Sequence, residues 1–152
     1  MKVLFGVDVG GTDIKLGAFD WKSQKLLKKW AIKTDLSNEG KQIIPDVAKE
    51  IQSYLCENTL SEADVYGIGM GIPGPVDKDG NVEVCVNLFW NNFNPAEEMR
   101  KFFPHAYIQA GNDANVAEAA LLRKARIRCK QGAPVNRAAR SRNRKKITRS
   151  YG

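Results

Sequence analysis

Four short stretches of this sequence carry residues that could bind or activate a small molecule. The first is DVGGT, which begins with Asp8 and contains the adjacent pair Gly10 and Gly11. Glycines let a backbone approach a ligand closely, and their N–H groups can point at a phosphate. Asp8 could hold a magnesium ion through water, while Thr12 ends the stretch and Lys15 could add positive charge beyond it. A glycine turn without a ligand is the alternative, and the GK[ST] ending of a P-loop does not follow.

Two further stretches combine a rigid turn with an amide. GIPGPVD, residues 71–77, has a proline on each side of Gly74, which restricts the backbone and would equally suit a purely structural turn. NLFW, residues 87–90, places Asn87 close to two aromatic residues in what we predict to be a loop. The Asn87 amide could donate to and accept from sugar hydroxyls, or it could close an Asx turn.

GNDAN, residues 111–115, is the most specific of the four stretches. Asn112 and Asp113 follow a short apolar strand at the predicted start of a helix. The positive end of a helix stabilises a carboxylate there, and that carboxylate can accept a proton from a substrate hydroxyl. Simple capping of the helix by Asp113 is the alternative.

The pattern of apolar residues predicts the elements that position these stretches. KVLFGVDV and DIKLGAFD predict a hairpin around the glycine pair, and residues 25–34 predict a third strand with Leu27 and Trp30 as core candidates. A helix follows with Pro45 in its first turn. Its apolar residues recur at spacings of three and four: Ile44, Val47, Ile51 and Leu55.

The next part of the chain alternates strands and helices. A buried strand enters the 71–77 loop, KDGN predicts a turn, and NPAEEMRKFF predicts a short helix with Asn94 as its cap and Pro95 at its first position. AYIQA predicts a last strand before the helix that begins near Asp113. This order predicts an α/β fold, with a mixed sheet and flanking helices.

The charge of the chain divides it into two parts. The net charge is +7, but all 17 acidic residues lie in residues 1–120, together with half of the 24 basic ones. Residues 121–152, here called the basic tail, hold the other basic residues and no acid. We therefore predict one domain over residues 1–120 followed by this tail. Such a tail is typical of an arm that contacts nucleic acid or of a disordered segment.

Composition also bears on location and metals. No apolar run is long enough to span a membrane, and glycine and aspartate come too early for a signal peptide. The three cysteines form no CxxC pair, which favours free thiols in a reducing compartment. Neither the cysteines nor His105 have the spacing of metal ligands, so we interpret His105 as a structural residue. We expect a cytoplasmic protein without a membrane partner.

GVDVGGTDIK, GIGMGIPGPVD, NLFW and GNDAN together resemble the N-terminal half of ROK-family sugar kinases, and among these the bacterial glucokinases. The four stretches follow that family's order and approximate spacing, and the resemblance covers residues 3–120. It implies the N-terminal lobe of an actin-like ATPase fold, which is related to ribonuclease H. It also implies phosphoryl transfer from ATP, with Mg²⁺, to a hexose. Glucose is the expected sugar, and an N-acetylhexosamine or fructose is the alternative.

The resemblance further implies a role for individual residues. It implies that the DVGGT hairpin faces the ATP phosphates, with Asp8 near the magnesium ion. The residues implied to attend the phosphates are Gly10, Gly11, Thr12 and Lys15.

The remaining stretches are implied to form the sugar site. Gly74, Asn87 and Asn112 would contact the sugar. Asp113 would also contact it, as the catalytic base that takes the proton of the attacking hydroxyl. Phosphoryl transfer depends mainly on positioning and charge neutralisation, which agrees with these residue types.

The basic tail departs from the family pattern. The family's second glycine-rich phosphate strand, its later sugar-binding Glu and His, and its zinc-binding cysteine cluster do not occur there, so we expect neither structural zinc nor the family's homodimer. Two interpretations remain open: an RNA-binding arm on a non-catalytic module, or the product of a reading-frame slip near Leu121. Codon degeneracy permits Gly-Val-Gly-(Ile/Thr)-Gly under residues 140–144 after a one-nucleotide shift, which favours the slip. We expect the helix that begins near Asp113 to continue to about Arg126 and the residues beyond it to be disordered. We expect no contact with nucleic acid except through the basic tail. We also expect the chain to show little kinase turnover.

Overall fold

A computed structural model describes residues 1–112, and the fold is given for these residues. Seven strands and two α-helices form, in the order β1 (Val3–Val9), β2 (Asp13–Asp20), β3 (Leu26–Lys33), α1 (Ile43–Glu57), β4 (Val65–Gly71), β5 (Val82–Cys85), β6 (Trp90–Phe93), α2 (Pro95–Arg100) and β7 (Tyr107–Gly111). Two single 3₁₀ turns, Glu62–Asp64 and Val86–Leu88, precede β4 and β6. No helix of this part of the chain is both long and apolar enough to cross a membrane.

The main sheet has five strands in the order β3-β2-β1-β4-β7. β1, β2 and β3 run antiparallel to their neighbours as a meander, whereas β1, β4 and β7 are parallel to one another. The predicted mixed sheet with flanking helices is therefore confirmed. β5 and β6 form a separate two-stranded antiparallel sheet that the sequence analysis did not predict.

One face of the main sheet carries most of the core. Alternation along β1 places Phe5 and Val7 on this face, where the Phe5 ring meets Tyr54 of α1 edge to face at 5.6 Å. The predicted helix is confirmed as α1, and its four periodic apolar positions are all buried. Residues on the opposite face include Leu4 and Phe19, which form a smaller cluster with half-buried tyrosines.

The third strand corrects one predicted core residue. Trp30 is half-buried against the core, and its indole N–H donates to Glu50 of α1 at 3.0 Å. Leu27 is 40% exposed, so its prediction as a core residue was wrong. Leu27 has no partner in the β2–β3 register, which shifts at this point of the edge strand, so strand alternation does not direct its side chain into the core.

The second helix is shorter than predicted but begins where expected. The Asn94 side chain accepts a hydrogen bond from the Glu97 N–H at 3.0 Å, and Pro95 occupies the first position. The helix ends at Arg100, and the remainder of NPAEEMRKFF continues as turns in which Phe103 is buried. The predicted KDGN turn is also present, with Gly80 at φ 85°.

Candidate functional site

The carboxyl ends of the three parallel strands meet at one edge of the sheet. Asp8 on β1 pairs with Gly71 on β4, and Gly71 pairs with Gly111 on β7. The Ile72 N–H donates to the Gly111 carbonyl at 2.8 Å, which extends this row by one residue. Ligands of open α/β sheets bind outside this edge. The segments that leave it contain the predicted residues Gly10, Gly11, Thr12, Gly74 and Asn112.

The turn of the first hairpin is tight and closes on itself. The Gly10 N–H donates to the Asp13 carbonyl at 3.0 Å, and a Cβ on Gly10 would lie 2.7 Å from that oxygen. Glycine is therefore needed at this position for space, since φ of neither glycine is positive. The Gly10 N–H is already bonded. The Gly11 and Thr12 N–H groups donate to none of the residues 1–112, so these two groups could donate to a phosphate.

Thr34, which the sequence analysis did not single out, holds the same turn from the end of β3. Its hydroxyl donates to the Gly10 carbonyl at 2.7 Å, and its N–H donates to the Thr12 carbonyl at 2.9 Å. Both bonds engage carbonyls, so the turn directs those oxygens towards Thr34. A threonine directly after a strand that pairs with the hairpin was the available signal.

Asp8 and Lys15 face each other across the hairpin. They are direct partners in the β1–β2 register, so their side chains leave the same face of the sheet. That face is opposite the core, since Val7 and Val9 on either side of Asp8 are buried. Asp8 is half-buried and Lys15 is exposed. A carboxylate and an ammonium beside the glycine turn suit a phosphate and its counter-ion.

Metal ligation by the described residues alone is limited. Among residues 1–112, no group of three or more His, Cys, Asp and Glu side chains could together hold a metal ion. Asp8 is a single carboxylate at the site. This donor set fits magnesium, which keeps most of its waters and is held by one or two carboxylates together with substrate phosphates. It does not fit a structural zinc site.

The loop after β4 packs on the second hairpin. The Gly74 N–H donates to the Ile72 carbonyl at 2.9 Å, and the Cys85 thiol donates to the Pro73 carbonyl at 3.7 Å. A Cβ on Gly74 would lie 3.6 Å from the Cys85 sulfur, which is an ordinary contact. Space alone therefore does not require glycine at position 74. Cys85 is buried beneath this loop as a free thiol, as predicted.

Asn87 lies in a 3₁₀ turn that connects the two strands of the second hairpin, which is consistent with the predicted loop. Its side chain is exposed and makes no hydrogen bond with any other residue of the described range, so no Asx turn forms. Leu88 and Trp90 on either side of Phe89 are buried, and Phe89 itself adopts φ 59°. The buried neighbours fix the backbone and leave the Asn87 amide free to bind a ligand.

The glycine turn and the Asn87 segment lie close together. A Cβ on Gly11 would lie 3.3 Å from the Asn87 carbonyl oxygen and 3.6 Å from its Cβ. The predicted phosphate stretch and one predicted sugar stretch are thus direct neighbours, although they are far apart in sequence. A Cβ at position 11 would be tight against the Asn87 carbonyl, which favours a small residue there in addition to any contact with a ligand.

The last predicted stretch is only partly described. Asn112 is exposed and directly follows β7 at the carboxyl edge. Asp113 and the helix predicted from it lie outside the described residues. His105 precedes β7 and is exposed, so it belongs to the other end of the sheet.

A groove of about 510 Å³ runs along the second hairpin, outside the predicted site. Asp77 and Glu83 line it with Asn92. The Asn81 N–H donates to the Asp77 carboxylate at 2.9 Å, and this bond lowers the pKa of Asp77 below its usual value. None of the predicted site residues lines this groove.

Comparison with known proteins identifies the family. Residues 4–128 match the ROK family. The chain belongs to the ROK family. Its resemblance to ROK proteins, predicted from the four stretches, is therefore confirmed, and so is the actin-like ATPase fold, which the structurally similar ROK sugar kinases share.

Several named ROK relatives are similar to this chain. A glucokinase from Halalkalibacterium halodurans is 34% identical over 74% of this chain and 34% of that protein. An N-acetyl-D-glucosamine kinase from Vibrio atlanticus is 28% identical over 73% of this chain and 35% of that protein. The structure of an inorganic polyphosphate/ATP-glucomannokinase from Arthrobacter sp. strain KM matches with a TM-score of 0.62 and 25% identity, over 78% of this chain and 48% of that one. The chain spans about a third of the length of these two curated relatives.

Proposed function

We propose that this chain carries the N-terminal part of an ATP-dependent hexose kinase whose sugar is glucose. The observation that carries the proposal is the close approach of Asn87 to Gly11. A phosphate on the glycine turn and a sugar on the Asn87 amide would be neighbours, and phosphoryl transfer needs that proximity. The identity to the Halalkalibacterium glucokinase supports glucose, whereas the Vibrio kinase supports N-acetylglucosamine as the alternative.

The first hairpin would hold the nucleotide phosphates. The N–H groups of Gly11 and Thr12 would donate to phosphate oxygens, and the Lys15 ammonium would offset their charge. Gly10 would contribute through the tight turn rather than through its own N–H, which donates to Asp13.

Asp8 would hold Mg²⁺ through water beside these phosphates. When bound, the ion neutralises charge that develops on the transferred phosphoryl group. The half-buried position of Asp8, next to the turn and opposite Lys15, suits this role because both charges then face the phosphates.

The sugar would lie between the second hairpin and the end of β7. The exposed amides of Asn87 and Asn112 would each donate to and accept from sugar hydroxyls, and the backbone near Gly74 would border the sugar. Asp113 would accept the proton of the attacking hydroxyl. General-base catalysis contributes about 10²–10⁴-fold, and only when the substrate is held within reach.

The domain division and the location belong to the same proposal. Residues 1–120 would form the kinase lobe, and residues 121–152 would be a frame-slip product rather than an RNA-binding arm. The protein would act in the cytoplasm. Because the chain covers about a third of its relatives, the 152 residues alone would give little or no phosphorylation of glucose in a coupled ATP assay. Robust turnover would contradict this part of the proposal.

Sugar binding tests the function directly. Isothermal titration of the chain with glucose, N-acetylglucosamine and fructose should give the tightest binding for glucose. Asn87→Ala should weaken it about tenfold, the loss expected for one or two hydrogen bonds to an uncharged ligand. Asn91→Ala is the matched control, since Asn91 is also exposed and lies four residues further along the same hairpin. Equal affinity of both variants, or a tighter fit for another sugar, would contradict the assignment to Asn87 or to glucose.

A further inference from the structure

The segment Thr34–Gly40, here called the strap, connects the two halves of the candidate site. At its first residue, the Thr34 hydroxyl and N–H donate to carbonyls of the glycine turn at 2.7 and 2.9 Å. At its last residue, the Gly40 carbonyl accepts a buried hydrogen bond from the Trp90 indole N–H at 2.9 Å. Trp90 begins β6, three residues after Asn87. The strap thus bonds to the phosphate turn at one end and to the sugar segment at the other.

The strap has an unusual backbone that its surroundings must maintain. Asn38, Glu39 and Gly40 follow one another at φ 56°, 57° and 72°. Residues other than glycine enter this left-handed region at a cost in conformational energy, and such strain persists only where contacts determine it. Phe89, at φ 59°, is a second site of left-handed backbone and lies next to Trp90. The two strained segments meet at the Trp90–Gly40 hydrogen bond.

Close packing removes any freedom at this junction. Gly40 is buried, and a Cβ there would overlap the Leu88 carbonyl oxygen and lie 2.8 Å from the Trp90 indole nitrogen. The next element, α1, begins three residues later at a fully buried Ile43. The end of the strap is therefore held by the core on one side and by Trp90 on the other.

We propose that the strap sets the distance between the phosphate turn and Asn87, with Thr34, Gly40 and Trp90 as positioning residues. Two hydrogen-bonded contacts and one close approach form a ring: Thr34 bonds to the turn, Gly40 bonds to Trp90, and Asn87 approaches Gly11 so closely that a Cβ there would lie 3.3 Å from its carbonyl oxygen. Buried or strained residues hold the backbone segments between these contacts. Because these segments are rigid, a displacement at one contact shifts the others. None of the three positioning residues needs to touch a substrate.

Hydrogen exchange tests the ring without any ligand. Thr34→Val keeps the shape of the side chain and the backbone N–H bond but removes the hydroxyl donor. It should raise the exchange rate of the Trp90 indole N–H about tenfold, which corresponds to the loss of one neutral hydrogen bond. Thr34→Ser restores the hydroxyl and should restore wild-type exchange. The indole N–H of Trp30, bonded to Glu50, is the internal control and should not change.

A second experiment measures the effect of the strap on glucose affinity. This experiment rests on the proposed function. Trp90→Phe should weaken glucose binding about tenfold, whereas Trp30→Phe, which also loses an indole hydrogen bond, should leave it unchanged. If the wild-type chain binds no glucose, the proposed function fails while the exchange measurement still decides on the strap. The proposal is overturned if Thr34→Val leaves Trp90 exchange at the wild-type rate, or if both tryptophan variants weaken glucose binding equally.

Discussion

The two hairpins at the candidate site reach their geometry in different ways. In the first, β1–β2, the Gly10 N–H bonds to Asp13 three residues away, and Thr34 adds two hydrogen bonds to the same turn from the end of the adjacent strand. The second, β5–β6, depends on a partner that is distant in sequence: Trp90 bonds to Gly40, 50 residues earlier. The first hairpin is thus encoded mainly by its own residues, with support from Thr34, whereas the second depends on a partner 50 residues away.

This difference predicts where substitutions do most damage. A change within the first hairpin alters one turn that its strands still support. A change at the Trp90–Gly40 junction, which holds the second hairpin, alters the core, the strap and the Asn87 segment together. Residues that hold the second hairpin should therefore have the larger effects on stability.

The largest effect is expected for Gly40→Ala. The new Cβ would overlap the Leu88 carbonyl in a left-handed residue, so the free energy of unfolding should fall by about 4 kcal/mol. Gly80→Ala is the matched control, since Gly80 is also left-handed at φ 85° but its Cβ would meet nothing closer than 3.4 Å. That variant should lose only about 1 kcal/mol. Denaturant unfolding that gives equal losses would contradict a special role for Gly40.

The sequence predicted the locally encoded part well. The β1–β2 hairpin, the α1 periodicity and the Asn94 cap depend on neighbouring residues, and all three are confirmed. Gly10, Gly11, Gly74 and Asn112 also lie in the segments that leave one edge of the main sheet, as the order of its parallel strands predicts. Roles of individual residues in binding stay predictions.

The features that the sequence did not predict depend on contacts between residues that are distant along the chain. β5 and β6 are only four residues each, which is too short for a clear periodic signal, and nothing in NLFW indicates that Trp90 bonds to the distant Gly40. Leu27 was predicted as a core residue because an apolar run does not reveal which face of an edge strand is covered. Thr34 directly follows a strand that pairs with the hairpin, but that position alone does not specify which carbonyls of the turn it bonds.

An intermediate effect is expected for Gly10→Ala in the first hairpin. Its Cβ would lie 2.7 Å from the Asp13 carbonyl, so the turn must open and the free energy of unfolding should fall by about 2 kcal/mol. Gly74→Ala, whose Cβ would meet only ordinary contacts, should change stability by less than about 0.5 kcal/mol. If Gly10→Ala proved more destabilising than Gly40→Ala in the same denaturant titration, the contrast between the hairpins would be reversed.

The smallest effect concerns acid stability at the turn before β5. Backbone hydrogen bonding, chiefly from the Asn81 N–H, lowers the pKa of Asp77 below 3.8 in the folded protein. A lowered folded pKa contributes stability above the ordinary value, and this contribution is lost as pH falls through the folded value. Asp77→Asn keeps the acceptor oxygen but cannot titrate, so its free energy of unfolding should fall less steeply than that of the wild type as the pH drops below the ordinary carboxyl range. Asp79→Asn is the control, and an unchanged pH dependence in Asp77→Asn would exclude this role.

The central claim is that the two hairpins form one site for a sugar and a nucleotide. Chemical-shift mapping of the ¹⁵N-labelled chain with glucose, and separately with Mg²⁺ and a non-hydrolysable ATP analogue, tests it most directly. Glucose should shift the signals of Gly74, Asn87 and Asn112, the nucleotide should shift those of Thr12 and Lys15, and Gly11 should respond to both. Shifts confined to the groove at Asp77 and Glu83, or no shifts at saturating ligand, would contradict the claim.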